Sequence, residues 1–141
     1  MATNTAYLLS DIQNFGYELF KNICQYTYLS NIPTSLTNNT TDFMVISTPT
    51  TVTDYNAYGK CSLQVEVFVK AKTNGIKDNQ KMRNLQKAIF DKIDAFTRLS
   101  TNPYHIQYDT NMMFEDFDEK MGFHVSINFF DITIQPITIT N

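Results

Sequence analysis

Two histidines, two cysteines and one acidic run are the residues of this chain whose types could do chemistry. His105 and His124 lie on stretches that alternate apolar and polar residues, and both occupy the polar phase. They come near each other only if those stretches pair as strands. A metal site needs three or four nitrogen, oxygen or sulfur ligands, and a catalytic histidine needs a nucleophile or carboxylate beside it. Neither an HxH nor an HExxH spacing occurs. Glu115, Asp116, Asp118 and Glu119 offer carboxylates for calcium, but the Asp-x-Asp-x-Asp-Gly spacing and the downstream glutamate of an EF-hand loop are missing. A solvated hairpin tip accounts for the run. Cys24 and Cys61 fall at apolar positions, where a free thiol packs as a small hydrophobe. Two cysteines build no disulfide framework, and their spacing matches no zinc motif. With four glycines, none of the phosphate-cradling loops can be assembled. The expectation is a protein that is not an enzyme, with no catalytic residues, no metal and no cofactor.

The elements that position these residues centre on Gly59–Phe96. Along Cys61–Ala71 the odd positions Cys61, Leu63, Val65, Val67, Val69 and Ala71 are apolar, and the even ones are Ser62, Gln64, Glu66, Phe68 and Lys70. That period of two predicts a strand with one apolar face. Thr73-Asn74-Gly75 suits a turn. Asp78 suits the N-cap of a helix running to Leu99, since its carboxylate can accept from free first-turn amides. Met82, Leu85, Ile89, Ile93 and Phe96 recur at steps of three and four, a stripe that can lie on the strand's apolar face.

An earlier helix is predicted from Thr5 to about Gln25. Leu8, Ile12, Phe15, Leu19 and Ile23 form its stripe, Leu9, Phe20 and Cys24 widen it, and Asn4 or Thr5 caps it. Pro33 disfavours a helical Ile32. Phe43–Ser47 reads as a short strand buried on both faces, after a polar connection at Thr34–Asp42. A long loop, Thr48–Gly59, carries Tyr55 and Tyr58; loops of this length often serve function or interfaces. Pro103 stops the second helix. Tyr104, Ile106 and Tyr108 mark a third strand, with a bulge or turn at Asp109–Asn111, continuation through Met112–Phe114 and a hairpin tip at Glu115–Lys120. Met121–Phe129 is the fourth strand. Its apolar phase flips at Phe129-Phe130, as a bulge or a change of surface would produce. The predicted order is α-β-β-α-β-β: an α+β, two-layer sandwich with a four-stranded, mainly antiparallel sheet and two helices on one face.

The chain of 141 residues fits one domain, residues 1–141, with a flexible or partner-binding tail from about 135. Hydrophobic content of 43% argues against disorder. A net charge of −3 lacks the basic footprint of a general nucleic-acid binder, and no sequence-specific nucleic-acid binding is expected. Lys70, Lys72, Lys77 and Lys81 form at most a local basic patch, and read best as a solvated strand end and helix start. No apolar run approaches a membrane span, no signal peptide is visible, and cysteine usage points to a reducing compartment. Charged residues are 18% of the chain, against roughly 25% in ordinary soluble domains. Thr, Asn, Ser and Tyr must fill the surface instead. Such surface is cheaper to bury against a partner than charge is; an Asn- and Thr-rich source accounts for it equally well.

Several features lie outside this core. Phe68 and Phe130 are expected to point away from the helices. Tyr55 and Tyr58 sit on the long loop. Asp116 and Asp118 crown the hairpin. Ile137-Thr138-Ile139-Thr140 is a β-forming tail without an obvious partner, so that either a neighbouring subunit covers it or it folds over its own sheet. Tyr55, Tyr58, Phe68, Asp116, Asp118, Phe130, Ile137 and Ile139 are therefore the candidate interface residues.

The sequence of a first helix, the strand Phe43–Ser47, a long loop, the strand Leu63-Gln64-Val65-Glu66-Val67-Phe68-Val69, a turn, a helix and a closing aromatic hairpin (Phe123–Phe130) resembles the tail terminator and tail-completion proteins of long-tailed bacteriophages, of the minor tail protein U type. The likeness covers roughly residues 5–134, lies in element order and length, and rests on no invariant motif. The Thr/Asn-rich stretch Thr34–Thr41 and the tail after Gln135 depart from it. It implies a virion protein of the head–tail junction, assembled in the bacterial cytoplasm, that forms a homo-oligomeric ring, commonly a hexamer. Such a ring caps the tail tube protein and meets the head-connector or neck proteins. The competing expectations are a neck, connector or injection-machine cap protein, and a stand-alone α/β enzyme or ligand-binding domain.

Overall fold

The structure is a computed structural model of the chain, and it describes residues 3–99, 103–135 and 137–140. Its centre is the strand β5 (Gly59–Lys70), hydrogen-bonded along both edges. On one side it pairs antiparallel with β3 (Asp42–Ser47), which pairs in parallel with β2 (Tyr26–Leu29). On the other it pairs antiparallel with β7 (Phe123–Ile134), which pairs antiparallel with β6 (Tyr104–Asp118). The short β4 (Thr53–Asp54) folds back on the start of β5. A separate antiparallel ribbon joins β1 (Thr3–Ala6) to β8 (Ile137–Thr140). The described residues also form helices α1 (Leu9–Phe20) and α2 (Asn79–Leu99). Among the described residues, no helix is long and apolar enough to cross a membrane.

The alternation along β5 builds the main core. Leu63, Val65, Val67 and Val69 are fully buried on the inner face, against Ile12 and Phe20 of α1 and Met82, Ile89 and Ile93 of α2. The α2 stripe packs as its spacing predicts. Asp78 Oδ1 accepts from the Lys81 amide at 3.2 Å, which makes it the N-cap. Asn74 and Gly75 take positive φ in the turn before it. At Gly16 an added Cβ would lie 3.0 Å from Leu63 Cδ2, so glycine lets α1 approach the sheet closely.

The two-layer arrangement with both helices on one face agrees with the pattern, but the four-stranded sheet does not. Six strands form one mixed sheet, and two more form the ribbon. The first helix starts at Leu9, without a side-chain cap, because the Thr3–Ala6 backbone pairs with the tail. It ends at Phe20, and Tyr26–Leu29 becomes an edge strand. Cys24 still reaches the core, from the turn after the helix. The hairpin tip is shorter than expected: β6 runs to Asp118, and the reversal occupies residues 119–122. The helix stop at Ser100–Asn102 lies outside the described residues.

The phase flip in β7 is not a bulge, since β7 pairs with β5 in unbroken register from Lys70↔Phe123 to Gly59↔Ile134. Its two halves bury opposite faces. Phe130, Ile132 and Ile134 point into the helix-side core, whereas Phe123 and Val125 point to the other side. The bulge is in β6, in the expected region. From Tyr108 to Met113 that strand advances five residues, while its partner moves two, from Phe130 to Asn128.

A second, smaller core lies on the helix-free face. Phe43, Val45, Phe68, Phe123 and Val125 are buried there beneath Ile32 and Leu36 of the connection between β2 and β3. Phe43 and Phe68 stack with ring centroids 4.4 Å apart.

Asp42 ties the start of β3 to both neighbouring layers. Its buried carboxylate accepts from the Gln25 amide (2.8 Å) and the Thr41 hydroxyl (3.0 Å), and pairs with Lys81 of α2 (3.0 Å). Burial works to raise this carboxyl, but the three donors outweigh it and hold it below its usual value. Removing the acceptor in Asp42→Ala should cost about 2–3 kcal/mol in urea unfolding at pH 7. The folded pKa is depressed, so the stability this ionisation adds is present above the unfolded value of about 3.9 and is lost as pH falls through the folded one. Melting curves of wild type and Asp42→Asn should therefore converge toward acid; a gap constant from pH 7 to pH 2 would contradict the assignment.

Candidate functional site

The helix-free face of the sheet is only half covered. The connection between β2 and β3 roofs the end where Phe43, Phe68 and Phe123 lie. Beyond it, outward positions of β5, β7 and β6 stand side by side through the registers Glu66↔Ile127, Gln64↔Phe129 and Phe114↔Ile127. Phe114 is 52% exposed and stacks on Phe129 at 5.9 Å. Between this row and the roof runs an open groove of about 510 Å³, floored by Phe68, Val125 and Ile127, walled by Ile32 of the roof and Phe117, and rimmed by Glu66, Asp116, Asp118, Glu119 and Lys120. Glu66 is half-buried. Burial pushes its carboxyl up, a hydrogen bond with Gln64 opposes this, and no cation pairs with it among the described residues.

The acidic residues do not converge on a point. Glu115 faces the helix layer and pairs with Lys77, while Asp116 and Asp118 face the groove side. Asp118 Oδ1 accepts from the amides of Lys120 (3.1 Å) and Met121 (3.2 Å), so it shapes the turn. Asp116 Oδ1 accepts from the Phe117 amide at 2.8 Å. Among the described residues, no three His, Cys, Asp or Glu side chains come together as a ligand set.

The histidines are far apart although their strands pair. His105 lies opposite Thr133 and His124 opposite Phe117, nine residues apart along β7, or about 30 Å. His124 stacks on Phe117 at 4.4 Å, and its Nε2 bonds the Gly75 carbonyl at 2.9 Å, which ties the hairpin to the turn before α2. Cys24 is buried beside Asp42; burial and that carboxylate push its thiol far up. Burial pushes the Cys61 thiol up to about 11. Neither thiol is poised as a nucleophile. The basic patch is divided: Lys77 and Lys81 are ion-paired, and Lys70 and Lys72 are exposed.

The expected interface residues separate into three groups. Tyr55 (51% exposed) and Tyr58 (38%) are at the surface, stacked at 5.2 Å on the hairpin between β4 and β5. Tyr7 supports that hairpin, donating to Asp54 Oδ1 at 3.2 Å and lying so close to Gly59 that a Cβ there would come within 2.6 Å of its ring. Asp116 is exposed and Asp118 half-buried at the groove. Phe68 and Phe130 are not surface residues. Phe68 does point away from the helices, but the roof buries it; Phe130 points the other way, against Phe20 of α1 at 5.8 Å, and is fully buried. Ile137 and Ile139 lie in β8, whose backbone pairs with the chain's own β1; their side chains lie outside the described residues. Sequence reasoning missed Phe114, Phe129 and Glu66. The signal for Phe114 was the β6 bulge, which puts even-numbered residues on the outer face beyond it.

The chain matches no protein-family model and no curated protein sequence.

Urea unfolding separates core from surface aromatics. Phe130→Ala and Phe68→Ala should each cost about 3–5 kcal/mol, whereas Tyr55→Ala should stay within about 0.5 kcal/mol of wild type. A small effect at Phe130 would mean that it faces solvent.

Proposed function

We propose that this chain is a virion assembly protein without enzymatic activity: a ring-forming tail terminator that caps a tail tube and joins it to the head connector. The observation that carries this reading is the half-covered sheet face. Phe114, Ile127 and Phe129 form an aromatic and aliphatic row there, beside a groove whose half-buried carboxylate, Glu66, has no cation partner among the described residues. The stacked tyrosines form a second, different surface on the hairpin at the Gly59 end of β5. A closed ring of identical subunits requires unlike surfaces that meet head to tail, and attachment to a tube on one side and a connector on the other requires further distinct faces. The resemblance in element order to phage tail terminators supports the same reading, as does the mild net charge of −3, since such a ring contacts proteins rather than binding nucleic acid tightly. The head–tail junction of the virion is its proposed location, with the tail tube and neck proteins as partners.

Sedimentation velocity and negative-stain images, with and without polymerised tail tubes of the same virus, test it. Closed rings of a single rotational symmetry should form, alone or on tube ends, and tube growth should stop. A protein monomeric under both conditions, with tube growth unaffected, would overturn the proposal. Rings that bind connectors but leave tube growth unchanged would place the protein in the neck instead.

Deleting residues 137–141 removes β8 and leaves β1 unpaired. Assembly should weaken while the six-stranded sheet, by circular dichroism and melting, stays folded. Unchanged assembly would remove the ribbon from the interface.

A further inference from the structure

The groove on the helix-free face has an apolar floor and an acidic rim, and the same chain carries a projection of the opposite character. The rim holds four carboxylates, Glu66, Asp116, Asp118 and Glu119, against one cation, Lys120. The projection is the turn between β5 and α2. Ile76 at its end is 61% exposed, more than any other large hydrophobic residue described. Lys72 is exposed beside it and has no ion pair among the described residues.

This turn is a built element. The Lys72 amide donates to the Ile76 carbonyl at 2.7 Å and the Gly75 amide to the Lys72 carbonyl at 3.1 Å. The Ala71 amide donates to the Gly122 carbonyl at 2.9 Å, and His124 holds the Gly75 carbonyl. Asn74 (φ 64°) and Gly75 (φ 78°) take the left-handed conformation needed to close it. A projection held this way loses little further freedom on docking.

The turn cannot fill the groove of its own chain. His124 faces the helix layer, opposite to Val125 and Phe123, and anchors the turn on that side. The groove opens on the other side of the sheet. The two surfaces therefore match only between copies, as a head-to-tail contact of unlike patches.

We propose that the Ile76 turn of one copy docks in the acidic groove of the next, with Ile76 on the Val125–Ile127 floor and the Lys72 ammonium against Glu66. The contact gives Glu66 a cation, which it lacks among the described residues of its own chain. It rests on the ring-forming reading only for the closure of successive contacts into a ring.

Two variants of the full chain that each add one cysteine, Ile76→Cys and Ile127→Cys, are mixed under mild oxidation, alone and with tail tubes. The buried Cys24 and Cys61 stay out of the reaction. A mixed disulfide between the two variants, absent when either is oxidised alone, is expected. In parallel, Lys72→Glu or Glu66→Lys should weaken self-association by about tenfold, and the double charge swap should restore most of it. Melting curves confirm that each variant folds; Lys72 and Ile76 are exposed, so their replacement leaves the domain intact. Rings without the mixed disulfide, or with single reversals that associate like wild type, overturn this contact and leave the ring-forming reading standing. No association of wild type under any of these conditions overturns both.

Discussion

β5 has neighbours along both edges, so only its two faces are left to distinguish inside from outside. Its odd positions supply an unbroken apolar face, and the apolar stripes of both helices pack on that face. Removing this apolar surface from water stabilises the domain by roughly 25 cal/mol per Å² buried. The even positions are mixed. Phe68 requires cover; Ser62, Gln64 and Glu66 do not. The connection between β2 and β3 covers Phe68 and its neighbours and goes no further. The half-open face follows from this division of β5.

The remaining polar groups mark where the helix layer stops being a simple apolar contact. Toward the hairpin end, β7 presents Ser126 and Asn128 to the helices, both fully buried. Gln86 of α2 reaches Ser126 Oγ at 3.1 Å, and Asn128 Nδ2 donates to the Val65 carbonyl at 3.1 Å. Two buried oxygens, Asn128 Oδ1 and the Tyr108 hydroxyl, have no partner among the described residues. They flank the β6 bulge: Tyr108 is the last residue paired before it, and Asn128 pairs with Met113 just after it. An unpaired buried acceptor costs about 1–3 kcal/mol. The bulge is thus where the sheet buries polar atoms without a partner among the described residues, and it also turns Phe114 outward.

What was legible in the sequence was local and periodic. The inner face of β5, the α2 stripe, the Asp78 cap and the Asn74-Gly75 turn each depend on residues within a few positions of one another. The strands that were missed depend on distant partners. β2 is four residues long and exists because β3, seventeen residues away in Tyr26↔Phe43, offers it an edge. β1 exists through β8 at the far end of the chain. Ile23 and Cys24 continued the α1 spacing and so extended the expected helix, but they reach the core from a turn. The flip at Phe129-Phe130 was real in the residue pattern; a strand buried in two cores on opposite faces produces it as readily as a bulge does.

The surface residues were harder to place than the core because alternation assigns a side chain to a face but does not say what covers that face. Phe68 and Phe114 both point to the helix-free side. One is 3% exposed and the other 52%, and the difference is the reach of a Thr- and Asn-rich connection with no periodic signal of its own. Ile32 and Leu36 of that connection pack against the cluster that holds Phe43 and Phe68. The Phe114–Phe129 pair and Glu66, which has no cation partner among the described residues, therefore lie on the same side of one boundary. A partner that crosses it brings further apolar burial and a counter-ion together. Either alone is a weak attraction at a solvated surface; a site that combines them selects for a partner with a cation and an exposed aliphatic side chain close together, as Lys72 and Ile76 are in this chain.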